Sequence, residues 1–196
     1  MANKDKHSGH VRDGLDWYVE PYWCVDALLN VLRLPENTTV WDPACGMGTV
    51  PERCIAHGLA AYGSDICDRG YGIGTGDFLS PQPCPSGMPD AIITNPPYSK
   101  AVKFSQQALS LTNRYSALLV RLDFLASIQR YTIFTSMPPA RVLVFSKRPS
   151  MPPGQALQDG TAKRVGGQHD FCWIVWDKQH DGPAQIQWLN PDLGDV

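Results

Sequence analysis

Asp42-Pro-Ala-Cys-Gly-Met-Gly-Thr49 is the stretch whose reading decides the fold. It follows the β-prone run Thr38–Trp41 and opens a helical stretch from Val50 to His57, which Gly58 stops. In an open α/β sheet, ligands bind beyond the carboxyl ends of the strands, near the switch in strand order. Gly46 and Gly48 let the backbone bend sharply and come close to a ligand. Asp42 leaves a carboxylate where a cationic amine can pair. A dinucleotide fingerprint needs a third glycine where Pro51 stands, and a P-loop needs a Gly-Lys-Ser/Thr that is absent. Neither NAD nor ATP is therefore favoured. The bland alternative is a plain strand-to-helix turn.

Outward from this turn, Leu59–Ser64 reads as a second strand that ends at Asp65. That acid stands about 20 residues beyond the first glycines, where a carboxylate can accept both hydrogen bonds from a ribose. It also reads as a surface acid after a strand. Asp77-Phe78 places an acceptor beside an aromatic face, the parts needed to hold an adenine ring. Gly72-Ile-Gly74-Thr-Gly76 has no helix after it and is a loop. So is the segment 81–89, with four prolines and a glycine. Asp90–Thr94 is a third strand, and Asn95-Pro-Pro-Tyr98 follows it. Two prolines at a strand end stop the sheet and stiffen the turn. Pro96 keeps a carbonyl acceptor, Asn95 adds a second, and Tyr98 supplies a flat ring. Two acceptors beside a ring suit a planar –NH₂ group on a heterocycle.

The remaining elements fall around these motifs. Trp23–Leu32 reads as a helix with Val25, Leu28, Leu29 and Leu32 on one face, broken by Pro35 and Asn37. Ala101–Leu111 is helical, and Ala117–Val120 and Arg141–Phe145 are strands. Residues 147–169 carry prolines, glycines and charge and read as a long loop. Phe171–Trp176 is a last apolar strand. Strands that alternate with helices predict an α/β fold with a mostly parallel sheet. No helix pattern separates the last two strands, so the last one should run antiparallel.

Size and composition bound the function classes. The 196 residues fit a flexible tail over 1–16 and a single domain over 17–196, with no separate target-recognition domain. No apolar run approaches the ~18 residues of a membrane span, and the polar start lacks a signal-peptide core. A cytoplasmic protein is expected, with no membrane partner. The six cysteines show no close zinc spacing, and no metal is expected. Net charge is −2, but it is uneven. Up to Ser99 there are 6 Lys and Arg against 12 Asp and Glu; from Lys100 onward there are 11 against 7. A polyanion would dock on the C-terminal half; a scattered, solvated surface explains the same counts.

These motifs together resemble the amino-methyltransferases of the class I Rossmann-like superfamily, particularly DNA adenine-N6 enzymes. Asp42, Pro43, Ala44, Gly46, Gly48 and Thr49 match the family's glycine-rich motif, and Asn95, Pro96, Pro97 and Tyr98 its catalytic motif. Asp65 with Ile66 resembles its ribose acid, and Asp77-Phe78 its adenine-binding pair. The motif order is similar to the gamma arrangement. Arg121-Leu-Asp-Phe124 and Lys147-Arg-Pro-Ser-Met151 resemble the small methyltransferases of phages and prophages. The family often has Thr-Pro near its start. Glu20-Pro21 stands here instead, which puts a carboxylate near the expected methionine end of the cofactor, with Tyr18 and Pro21 as further contacts.

The resemblance implies a seven-stranded sheet, S-adenosyl-L-methionine as cofactor, DNA as partner, and methyl transfer to the N6 amino group of adenine. The same tetrapeptide resembles methyltransferases of RNA adenine, cytosine N4 or protein glutamine, and a non-catalytic S-adenosylmethionine-binding module keeps the fold as well. With no recognition domain, any sequence preference falls to loops. The cations Lys147, Arg148, Lys163 and Arg164 of the 147–169 loop are the expected nucleic-acid contacts.

Overall fold

The computed structural model describes residues 16–80, 84–162 and 166–190. Helix α1 (Tyr22–Leu32) leads into strand β1 (Thr39–Asp42), helix α2 (Thr49–Ala56) and strand β2 (Ala60–Gly63). Strand β3 (Ala91–Thr94), helix α3 (Ala101–Leu111), strand β4 (Tyr115–Arg121) and helix α4 (Ile128–Ser136) follow. The chain closes with β5 (Arg141–Phe145), a short helix α5 (Gly154–Gln158), β6 (Phe171–Asp177) and β7 (Gln185–Leu189).

The strands form one seven-stranded sheet in the order β2-β1-β3-β4-β6-β5-β7. Every pairing is parallel except those of β6, which runs antiparallel to β4 and β5. The expected antiparallel strand is thus present at Phe171, but β7 follows it and adds to the edge of the sheet beside β5.

Burial on both faces explains the apolar strands. Along β6, Phe171, Trp173 and Val175 join one core with Val25 and Leu28 of α1 and Val50 of α2. Cys172, Ile174 and Trp176 join a second core with Phe104 and Ala108 of α3. The period of two sends alternate side chains to opposite faces, and helices cover both, as parallel sheets require. The buried indole of Trp173 donates to the Cys24 carbonyl at 2.8 Å, which ties α1 to the centre of the sheet.

Two helices escape the sequence pattern. Helix α4 is built from Ile-Gln-Arg-Tyr-Thr-Ile-Phe-Thr-Ser, with its β-branched and aromatic residues weak as helix formers, and only Ile133 of it is buried. Its start is fixed by Ser127, whose side chain accepts from the Gln129 N–H. The 147–169 segment is not wholly irregular: it contains α5, and its first part lies along the N-terminal segment. Val19 N–H donates to the Pro152 carbonyl at 3.0 Å and Gly154 N–H to the Trp17 carbonyl at 3.1 Å. Asp16, which composition assigns to the tail, accepts from the Ser99 N–H at 2.9 Å. The rest of the tail lies outside the described residues, as do Lys163 and Arg164. No helix among the described residues is long and apolar enough to cross a membrane.

The sheet order places the site. From β1 the chain moves to β2 on one side and then returns to β3 on the other. The loops that leave the carboxyl ends of β1 and β3 diverge there and open a crevice.

Candidate active site

The turn after β1 is braced by its own acids. Asp42 is buried, and its Oδ1 accepts from the Ala44 N–H at 3.0 Å. Burial pushes its carboxyl well above the ordinary carboxylate range. Gly46 and Gly48 both have positive φ, +51° and +91°. A Cβ at Gly46 would stand 2.6 Å from the Trp17 indole nitrogen, and one at Gly48 would strike the Tyr71 ring. Only glycine fits that backbone and those neighbours. The Gly46 N–H donates to Asp65 Oδ2 at 2.9 Å, which links the turn to the loop after β2.

Asp65 is buried and multiply engaged. Its Oδ1 accepts from the Cys67 N–H at 3.2 Å and faces the Arg69 Nε at 3.4 Å. Arg69 in turn lies 3.7 Å over the Trp17 ring. Phe78 is buried edge-on against Trp41 and tilted against Phe104, and Asp77 beside it accepts from the Leu79 N–H at 3.0 Å.

The loop after β3 carries two buried polar atoms without a partner. Asn95 Nδ2 donates to the Tyr18 carbonyl at 2.9 Å and to Glu20 Oε2 at 2.7 Å. With two acceptors on one side, the amide has a single sensible orientation. Its Oδ1 is buried with no partner, and so is the Tyr98 hydroxyl. Each such orphan costs about 1–3 kcal/mol, a cost that a ligand with donors would relieve. The Tyr98 ring stacks on Tyr18 at 5.9 Å and packs against Phe171 at 5.7 Å. Burial, with Glu20 nearby, holds its phenol well above its ordinary value.

These loops enclose a cleft of about 110 Å³. Of the residues singled out by sequence, Tyr18, Pro43, Ala44, Asp65, Ile66, Asp77, Phe78, Asn95, Pro96 and Pro97 line it. Asp42, Gly46, Gly48 and Thr49 belong to the turn and are not among the lining residues, nor is Pro21, the N-cap of α1. Tyr98 is not one of the lining residues: Tyr18, on which its ring stacks, lines the cleft instead. Lys147 and Arg148 stand elsewhere, Lys147 at 5.7 Å from the Trp23 ring and Arg148 paired with Asp170 at 2.7 Å.

Sequence reasoning missed Trp17 and Arg69, both of which reach into the cleft. Arg69 carried a signal, since it sits four residues after Asp65. Glu20 is tied to the second motif: its side chain accepts from Asn95 Nδ2 at 2.7 Å. A larger hollow of about 410 Å³ lies at the amino ends of β1 and β2, beside Thr39, Ala60 and Met88. No charged side chain among the described residues lines it, and it is at the wrong end of the strands for a ligand in such a sheet.

No family model matches the chain, and no curated protein does. Solved structures do. A type I restriction-modification methyltransferase subunit from Streptococcus thermophilus aligns at a TM-score of 0.58 and 12% identity, over 83% of this chain and 45% of that one. This chain thus spans less than half of that subunit. A proposed RNA methyltransferase from Pyrococcus horikoshii aligns at 0.64 and 14%, over 89% of this chain and 94% of that one. Magnesium protoporphyrin IX methyltransferase from Synechocystis, solved with bound S-adenosylmethionine, aligns at 0.51 and 17%, over 78% and 76%. The chain has the Rossmann-like class I methyltransferase fold.

Proposed function

We propose that the protein transfers a methyl group from S-adenosylmethionine to a planar exocyclic amine, and that this amine is N6 of adenine in DNA. The observation that carries the reading is the buried, unpartnered Oδ1 of Asn95, a residue that lines the cleft beside the glycine turn. An acceptor left without a donor in that place fits an amine.

The residues present fit the cofactor in kind. Gly46 and Gly48 form a cradle that a Cβ would fill. The Asp42 carboxyl, buried in the turn, suits a cationic amine, Asp65 a ribose, and Asp77 with Phe78 an adenine. The cleft's volume is below the ~300–1000 Å³ usual for small-molecule sites, so Trp17 or Arg69 moves when the cofactor enters. When bound, S-adenosylmethionine supplies an electrophilic methyl group on a sulfonium that leaves as a neutral thioether.

The protein's part is orientation and charge. The adenine N6 lone pair is delocalised into the ring and is a poor nucleophile. Asn95 Oδ1 and the Pro96 carbonyl accept hydrogen bonds from its two N–H groups, favour a pyramidal nitrogen and stabilise the positive charge that develops on it. As the N–C bond forms and the C–S bond breaks, the nitrogen releases one proton to solvent. Holding nitrogen and methyl in line contributes much of the rate. A base inside a duplex is flipped out first, at a few kcal/mol, and Tyr18, backed by Tyr98, offers it a flat surface.

DNA is favoured by the likeness of the glycine-rich and catalytic motifs to DNA adenine enzymes and by the fold shared with restriction-modification subunits. RNA adenine is the second reading, favoured by the near-complete length match to the Pyrococcus horikoshii protein. Labelled methyl transfer to unmethylated duplex DNA and to transcribed RNA, run in parallel, tests the two. Incorporation into DNA that is lost in Asn95→Ala supports the first reading. Incorporation into RNA alone moves the assignment to the second, and none into either refutes both.

A further inference from the structure

We propose that Glu20 is a positioning residue for Asn95: its carboxylate holds the side-chain amide with Nδ2 turned inward, presents Oδ1 to the acceptor amine and polarises that oxygen. The chemical purpose rests on the amino-methyltransferase reading; the coupling between the two side chains does not.

An asparagine that contributes an acceptor has a weakness, because its amide can flip and offer a donor to the amine instead. Here both protons of Nδ2 are taken, one by the Tyr18 carbonyl and one by Glu20 Oε2. Both partners come from the segment that crosses behind the loop and enters α1, and Glu20 is buried, at 7% exposure. It is not among the cleft's lining residues, so it acts through Asn95 and does not touch the substrate. A charged acceptor binds an N–H about twice as strongly as a neutral one. Electron density drawn toward the amide oxygen then meets the positive charge developing on the attacked amine.

Glu20 stands among groups of its own sign or none. Asn95 and its own backbone N–H favour its ionised form. Cys24 on α1, Asp42 at the end of β1 and Tyr98 in the catalytic loop all feel its negative charge. None of the groups that shift it is a cation. Burial outweighs the two hydrogen bonds and pushes its carboxyl up to about 7. Tyr18 and the neutral Glu20 carboxyl both hold the amide at low pH, while the stronger hold and the polarisation come as Glu20 ionises.

The test reads Asn95 directly. In a ¹H–¹⁵N spectrum the Asn95 side-chain pair, identified by its loss in Asn95→Asp, shifts with a midpoint near pH 7 in the wild type and not in Glu20→Gln. The carboxyl carbon of Glu20, followed by ¹³C in the wild type, titrates at the same midpoint and needs no variant. In the methyl-transfer assay, wild-type kcat rises through that midpoint with KM unchanged. Glu20→Gln is flat and about tenfold slower at pH 8, the loss expected when a charge-assisted bond becomes a neutral one. An Asn95 pair that ignores pH in the wild type, or moves equally in both proteins, overturns the coupling whether or not any methyl group is transferred. Turnover with the same kcat and pH profile in both proteins overturns the catalytic purpose while leaving the methyltransferase reading in place.

Discussion

Glu20→Gln should flatten the dependence of stability on pH between about 4.5 and 8. In the fold the Glu20 carboxyl has a pKa of about 7 against an ordinary value of 4.5, and desolvation is the main cause. Below 4.5 both the folded and the unfolded chain hold the proton, and stability does not change through this group. Between 4.5 and 7 the unfolded chain has released the proton and the folded chain has kept it, so stability falls as pH rises. Above 7 both are ionised and the loss is complete. Converted at about 1.36 kcal/mol per pH unit, the rise is worth about 3 kcal/mol. Glutamine keeps an oxygen for Asn95 but loses the bond that Glu20 makes to its own N–H, at a cost of about 1 kcal/mol. The variant is thus about 1 kcal/mol less stable than the wild type near pH 4.5 and about 2 kcal/mol more stable at pH 8. For a chain of this size the gain is about 4–8 °C in melting temperature. Differential scanning fluorimetry of both proteins across that range reads the difference, and Asp42, which shifts in the same direction, largely cancels between them. Parallel curves, with the variant never overtaking the wild type, refute a buried carboxyl that holds its proton.

Three further outcomes are expected, two from the site's geometry and one from the charge of the 147–169 segment. Asn95→Ala should lower kcat by about 10²–10³, the cost of one preorganised contact to a developing charge, while calorimetry still shows S-adenosylmethionine binding; equal loss of both makes the residue structural. Gly48→Ala, which forces an alanine to φ +91° against the Tyr71 ring, should destabilise by about 1–2 kcal/mol and weaken cofactor binding, and an unchanged urea midpoint with unchanged affinity contradicts this. Lys163→Ala with Arg164→Ala should weaken DNA binding and flatten its log–log salt slope by about 0.9 per lost phosphate contact; an unchanged KM at several salt concentrations removes that loop from the docking surface.

Much of the sheet was legible because its signals are local. Ala101–Leu111 and Arg141–Phe145 have the expected boundaries, set by an apolar face in one case and a β-branched apolar run in the other. Strand β7 was not seen, although Gln185-Ile-Gln-Trp-Leu alternates: Ile186 and Trp188 remain exposed, so the pattern marks an edge strand with little burial behind it. At the site, the residues on the two glycine and proline turns were legible because turn chemistry restricts residue type. Trp17 and Arg69 were not, since their place depends on the N-terminal segment folding back over the glycine turn. A Gly154 without a side chain is what lets Trp17 lie there, a long-range fit that no local pattern encodes. The tie between Glu20 and Asn95 likewise joins residues 75 positions apart.

The central claim is that the Asn95–Tyr98 loop presents an amine-binding acceptor to a methyl donor, and mass spectrometry of nucleosides tests it most directly. Unmethylated duplex DNA is incubated with the purified protein and S-adenosylmethionine carrying a deuterated methyl group, then digested to nucleosides. At initial rate, deuteromethyl N6-methyldeoxyadenosine is expected in the wild-type digest and about 10²–10³-fold less with Asn95→Ala. A label found only on a carbon or oxygen atom, or equal labelling by the two proteins, would contradict it.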